Sequence, residues 1–252
     1  MKNMNKTIPC LLLLGLLAST PANSSAQTKT QTPHTLNAKI TKTVEIRYQL
    51  HLPEGYDSKA GKKWPTILFL HGAGERGDDI EKVTVHGPPM IVKNKSEFPF
   101  IVISPQCPAG ERWQPEQLIA LLDRVSREHA VDRRRVYLTG LSMGGYGSWE
   151  LGVRHHDRFA AIAPICGGGT TIEIRLARRV KDHPLKSLPV WAFHGAKDSV
   201  VPLIESERMV DAFKAIGNES ARLTVYPEAN HNSWTETYDN PKLYEWFLSH
   251  SK

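Results

Sequence analysis

Residues 44–52 (VEIRYQLHL) alternate in type, the period-two pattern of a half-buried edge strand, and Pro53-Glu54-Gly55-Tyr56 ends it. After that the alternation stops. Short, nearly continuous apolar runs occupy 66–70, 100–104, 136–139, 159–165, 190–193 and 223–226, as expected of parallel strands covered on both faces. The segments between them repeat at helical spacing. Leu118, Leu121, Leu122 and Val125 share a face behind Pro115, which suits a first helical turn. Met209, Phe213 and Ile216 do the same ahead of Gly217, a helix stop, and Asn240-Pro241 opens a last helix with Leu243, Trp246 and Phe247. This alternation predicts a doubly wound, mostly parallel α/β sheet flanked by helices, with its chemistry at the carboxyl ends of the strands.

The N-terminus follows a different pattern. Lys2 and Lys6 precede an apolar stretch from Ile8 to Ala18, and Ser24-Ser25-Ala26 offers a small-x-small cleavage site. Residues 1–26 read as a secretory signal peptide whose apolar core is too short to span a bilayer. Residues 27–40 read as a polar leader and 41–252 as a single domain. A secreted or periplasmic location follows, without stable membrane insertion after cleavage. The formal charge of +6 falls to +4 when Lys2 and Lys6 leave. Arg133-Arg134-Arg135 reads as a solvated turn ahead of a strand; with no second basic cluster or interleaved aromatics, nucleic acid is not an expected partner. Cys10 lies within the apolar core, so lipidation there is not expected. Export permits a disulfide between Cys107 and Cys166, but two cysteines make no framework and they read as free buried thiols; neither has the spacing of a metal site.

Four loops after predicted strands carry unusual residues. They are His71-Gly72-Ala73-Gly74-Glu75-Arg76-Gly77-Asp78-Asp79, Gly140-Leu141-Ser142-Met143-Gly144, His194-Gly195-Ala196-Lys197-Asp198, and a fourth holding His231 and Trp234. A serine hydroxyl becomes a useful nucleophile only on a sharp turn, beside a base and amide donors. Glycines two residues either side of Ser142 remove Cβ atoms that would collide where a strand reverses into a helix. The pentapeptide alone is weakly specific. Its place after an apolar strand, with an acid and a histidine in later strand-end loops, makes it strong.

On these motifs the chain resembles the α/β-hydrolases, in particular secreted carboxylesterases near the dienelactone-hydrolase and prolyl-oligopeptidase-like esterases. The resemblance rests on Leu70-His71-Gly72-Ala73-Gly74-Glu75-Arg76-Gly77, on Gly140-Leu141-Ser142-Met143-Gly144-Gly145-Tyr146-Gly147, and on His194-Gly195-Ala196-Lys197-Asp198. It covers residues 44–250 and makes 41–252 a single catalytic domain. It implies a nucleophile–acid–base order of Ser142, Asp198, His231, and an oxyanion hole from the backbone N–H groups of Met143 and Ala73, with Gly74 the alternative to Ala73. The chain departs from dienelactone hydrolase, whose nucleophile is cysteine. It also lacks the propeller of prolyl oligopeptidases, which argues against peptidase action.

Other residues have plainer readings. Asp198 could instead cap the helix beginning near Pro202. His71 and His194 read as structural, and His155-His156 as solvated, because adjacent residues do not share a helix face. His86, His129 and His183 have no partners by spacing. Asp78 and Asp79 lack the spaced oxygens of a calcium loop, so an internal Glu75–Arg76 pair is expected to order that loop. No metal and no cofactor are expected. Trp113 and Trp234, with Gly74, are candidates for substrate lining, and Trp149 is weighed with them; core packing is an equal reading for each tryptophan. Lid domains of α/β-hydrolases usually enter where only Gly167 to Pro189 separate two strands here, room for a loop and a short helix. No cap domain is expected, and the site should be open and shallow. That suits short-chain acyl, aryl or carbohydrate-linked esters, as small molecules or on a polysaccharide. A peptide or amide hydrolase and a non-catalytic binding protein are the alternatives.

Overall fold

The computed structural model describes residues 31–94 and 97–252. The chain divides into two units, Met1–Lys42 and Thr43–Lys252. In the first, the described residues 31–42 are exposed and form neither helix nor strand, and the signal-peptide expectation for 1–26 lies outside the described residues. No described helix is long and apolar enough to cross a membrane.

Among its described residues the second unit holds seven strands: β1 (Tyr48–His51), β2 (Trp64–Leu70), β3 (Ile101–Pro105), β4 (Val131–Leu141), β5 (Ala161–Ile165), β6 (Trp191–Gly195) and β7 (Arg222–Tyr226). They form one sheet in the order β1-β3-β2-β4-β5-β6-β7. Only β1 runs antiparallel, paired with β3 at the edge. β2, β3, β5 and β4 from Val136 on are buried along their length because both their faces are covered. On one face Leu68, Leu70, Ile103 and Leu138 meet α2 (Pro115–Glu128), α3 (Met143–Arg154) and α5 (Ile204–Ala215) through Leu118, Leu122, Trp149 and Phe213. Each such buried side chain contributes roughly 1.5–3 kcal/mol relative to exposure. On the other face Ile67, Phe69, Val102 and Tyr137 pack toward α1 (Gly87–Asn94), α6 (Trp234–Asp239) and α7 (Pro241–Leu248), with Phe247 stacked on Tyr137 at 4.9 Å. Trp149 is thus a core residue.

Strand order places the chemistry. From β2 the chain crosses to β3 on one side, then returns to β4 on the other, so the loops after β2 and β4 diverge. Such a reversal opens a crevice at the carboxyl ends of the two strands. The segment between β5 and β6 holds a six-residue helix, α4 (Ile172–Ala177), and a 3-10 turn (Pro184–Lys186), with no separate cap.

The arginine run departs from expectation. β4 begins at Val131, so Arg133, Arg134 and Arg135 lie within the strand, where the register with β2 slips between Trp64↔Val131 and Thr66↔Val136. Arg135 Nε donates to nearby Asp132 at 2.6 Å, and Arg134 Nε donates to the carbonyl of Lys252, far along the chain, at 2.9 Å.

Candidate active site

The crevice is built around one tight turn. β4 ends at Leu141, α3 begins at Met143, and Ser142 between them adopts φ 52° and ψ −116°. A side chain in that region costs roughly 1–3 kcal/mol and persists only where its surroundings over-determine it. They do so here. A Cβ on Gly144 would lie 1.9 Å from the Leu70 carbonyl oxygen, and one on Gly140 would lie 2.5 Å from that of Gly144. The Ser142 amide donates to Ile165 O at 3.0 Å and to Cys166 Sγ at 3.3 Å, which ties the turn to the end of β5.

The structure brings Ser142, His231 and Asp198 together from three loops. His231 Nε2 lies 2.9 Å from Ser142 Oγ, and His231 Nδ1 lies 2.8 Å from Asp198 Oδ2. With Nδ1 donating to the carboxylate, Nε2 keeps a lone pair aimed at the hydroxyl. Asp198 Oδ1 accepts from the amides of Val200 and Val201, each at 2.9 Å, so the turn-capping role and the histidine contact coexist on two oxygens. The Asp198 side chain is wholly buried. Burial pushes its acidity down, but the His231 bond and the two amides outweigh that and hold its pKa below the ordinary carboxylate value.

The two remaining strand-end histidines brace this arrangement. His194 contacts Ser206 Oγ at 2.7 Å and Val201 O at 2.9 Å. His71 Nδ1 donates to Gly72 O at 2.6 Å while Nε2 accepts from the Cys107 amide at 3.0 Å. Burial lowers the His71 pKa to about 4, which fixes it as a neutral brace.

Ala73 and Met143 occupy equivalent places. Ala73 opens a 3-10 turn (Ala73–Glu75) and Met143 opens α3, so each presents an N–H from the first position of a helical turn, where the helix has no acceptor for it. The expected Glu75–Arg76 pair does not order this loop. Arg76 instead donates to the carbonyls of Ala73 at 3.0 Å and Glu111 at 3.1 Å, and Glu75 lies 3.9 Å from His71 and 3.8 Å from His86. His86 thus has a partner, as do His129, near Tyr56, and His183, 5.3 Å from His156. His156 is half-buried there, not solvated, because the helix ends at Arg154 and turns it inward.

A cavity of about 470 Å³ adjoins the turn, walled by Trp113, Met143, Tyr146 and Gly147, with Arg112 and Glu150 also lining it and Gly168 to Thr170 closing one side. Trp113 reaches it although only 5% exposed, since its Nε1 is anchored on His71 O at 3.2 Å. Trp234 does not line this cavity; its ring stands edge-on to His231 at 5.3 Å and near His86 at 5.5 Å. Gly74 is exposed and outside the cavity wall. Sequence reasoning missed Tyr146, although four residues past Ser142 is one helical turn, which brings a side chain back to the nucleophile.

Cys107 and Cys166 are buried and unbonded. Sγ of Cys166 and ligand atoms of Asp198 and His231 lie within 4.8 Å of one another. The Asp198 and His231 atoms already bond each other, and burial raises the Cys166 pKa to about 12.

A model of the phospholipase/carboxylesterase family matches residues 112–242. The chain is 27% identical over 209 residues to a poly(3-hydroxyoctanoate) depolymerase from Pseudomonas fluorescens, covering 74% of each. It is 26% identical over 215 residues to "Probable feruloyl esterase C" from Aspergillus terreus, covering 83% of this chain and 75% of that protein. Among solved structures, a thermostable esterase superposes with a TM-score of 0.67 at 32% identity, over 83% of this chain and 60% of that one. With a seven-stranded sheet whose order opens a crevice at its strand ends, and a family match spanning more than half its length, the chain belongs to the phospholipase/carboxylesterase family of carboxylic-ester hydrolases on the α/β-hydrolase fold.

Proposed function

We propose that this chain is an exported serine esterase that cleaves short-chain acyl, aryl or carbohydrate-linked esters through an acyl-enzyme, with residues 41–252 as its catalytic domain. The observation that carries the reading is the unbroken chain Ser142 Oγ–His231–Asp198, at 2.9 and 2.8 Å, on a strained turn. Export rests on the pattern of residues 1–26.

In this mechanism Ser142 Oγ attacks the ester carbonyl as His231 Nε2 takes its proton. Asp198 fixes the imidazole tautomer and stabilises the imidazolium. The oxyanion receives the N–H groups of Met143 and Ala73, each worth about 3–4 kcal/mol in the transition state. His231 then returns the proton to the departing alcohol, and a water repeats the sequence on the acyl-enzyme. The cavity beside Met143 receives one side of the ester, with the Trp113 and Tyr146 rings as its walls. The relative named as a feruloyl esterase and the one named as a polyester depolymerase support an ester that belongs to a larger molecule, as a substituent or as a backbone link.

A fluorophosphonate tests the nucleophile: the chain should gain one adduct, mapped to Ser142, and the His231→Ala variant should react far more slowly. An unlabelled Ser142 in folded protein would falsify the mechanism. Turnover of a matched ester and amide separates the esterase from a peptidase, with the ester favoured.

A further inference from the structure

The active-site cavity does not end at its own wall. Gly169 and Thr170 also border a second, shallow groove that continues over Thr171, Ile172, Arg175 and Arg208. Here α4 begins; its outer side bears a stripe of Ile172, Arg175 and Leu176, spaced as one helical face, and Arg178 and Arg179 follow in the turn at its end. Arg175, Arg178, Arg179 and Lys181 are all exposed. The nearby acids Glu173 and Glu205 are engaged by Arg154 at 3.4 Å and Arg208 at 3.1 Å. Among the described residues none of those four cations holds a carboxylate in an ion pair. Exposed Asp182, beside Lys181, offsets only part of the charge.

We infer that this groove and stripe form a docking surface for the backbone of an acidic polysaccharide that carries the scissile ester. The inference rests on the esterase reading above and narrows its substrate class. Guanidinium groups match carboxylates in paired hydrogen bonds, and Thr170 and Thr171 offer hydroxyls of the kind that sugar hydroxyls pair with. A polymer whose ester enters the cavity must lie across the mouth, and the groove continues from that mouth directly onto the arginines. A uronic-acid backbone supplies a regular row of carboxylates where these cations lie. A bilayer fits less well: six residues of α4, with Ile174 and Ala177 turned into the core, are too short to sink an apolar face into an interface.

The experiment compares hydrolysis of an acetylated uronic-acid polymer with that of an acetylated neutral polysaccharide of equal acetyl content, with p-nitrophenyl acetate as reference. The chain and its Arg175→Gln/Arg178→Gln/Arg179→Gln variant are assayed at low and high salt. The expected result is a preference of about tenfold in kcat/KM for the acidic polymer, abolished by high salt and by the variant. Turnover of p-nitrophenyl acetate should be the same in both proteins. Equal rates on the two polymers, with p-nitrophenyl acetate still cleaved, overturn the docking surface but leave the esterase reading intact. No turnover of p-nitrophenyl acetate overturns the esterase reading itself. Binding of the chain, but not the variant, to phosphatidylserine vesicles, without preference for the acidic polymer, assigns the arginines to a membrane and overturns the polysaccharide.

Discussion

At the residue scale, chemistry depends on how each polar group is held. Asp198 divides its two oxygens between the Val200 and Val201 amides and His231. An Asp198→Asn replacement keeps much of the turn but presents an amide to the wrong imidazole tautomer. It should lower kcat by roughly 10⁴ while leaving the melting temperature near its starting value, read by ester turnover and thermal unfolding. A variant within tenfold of the parent would contradict the orienting role. Ser142, Asp198 and His231 were legible because each follows an apolar run, which puts all three at one end of the sheet. The partners of Glu75 and His86 were not legible, because they depend on how two loops cross after folding. The same holds for Tyr146: its spacing from Ser142 is visible in sequence, but the cavity it faces is made by Trp113 and Gly169 from other segments.

At the element scale, the β4–α3 turn is the least replaceable part. The Leu70 carbonyl of the neighbouring strand sits where a Gly144 side chain would go, only 1.9 Å from an added Cβ. Gly144→Ala therefore cannot be absorbed by a rotamer change. It should cost about 3 kcal/mol or more in urea unfolding, or yield insoluble protein. A stable, fully active Gly144→Ala enzyme would contradict the packing described. The glycine spacing announced this turn in the sequence. The slipped register of β4 was not announced: Arg133 to Arg135 look like a loop, and they fall in the register shift between Val131, paired with Trp64, and Val136, paired with Thr66. β1 is likewise shorter than its alternating pattern, because only Tyr48–His51 find partners on β3.

At the scale of the whole molecule, the strand pattern foretold the sheet well because β2, β3, β5 and the second half of β4 are buried on both faces and so read as apolar runs, whereas the edge strand β7 is only partly covered. That same burial sets a pH dependence of stability. His71 is held neutral with a pKa near 4, below the ordinary histidine value, and burial lowers those of His51, His156 and His250 as well. The unfolded chain binds these protons first as pH falls, so stability is full near pH 7 and declines below the ordinary histidine pKa. From His71 alone the loss between pH 7 and pH 5 is about 2 kcal/mol. Asp198, whose pKa is lowered, adds a loss only as the pH drops into the carboxylate range. Denaturant unfolding at the two pH values checks this, and equal stabilities would contradict a buried neutral His71. The central claim, a serine esterase with an open site, is tested most directly by a p-nitrophenyl ester series from acetate to palmitate, run on the chain and on Ser142→Ala. The account predicts turnover that is highest on short chains and absent in the variant. Undiminished turnover by Ser142→Ala, or no turnover of any ester by the parent chain, would contradict it.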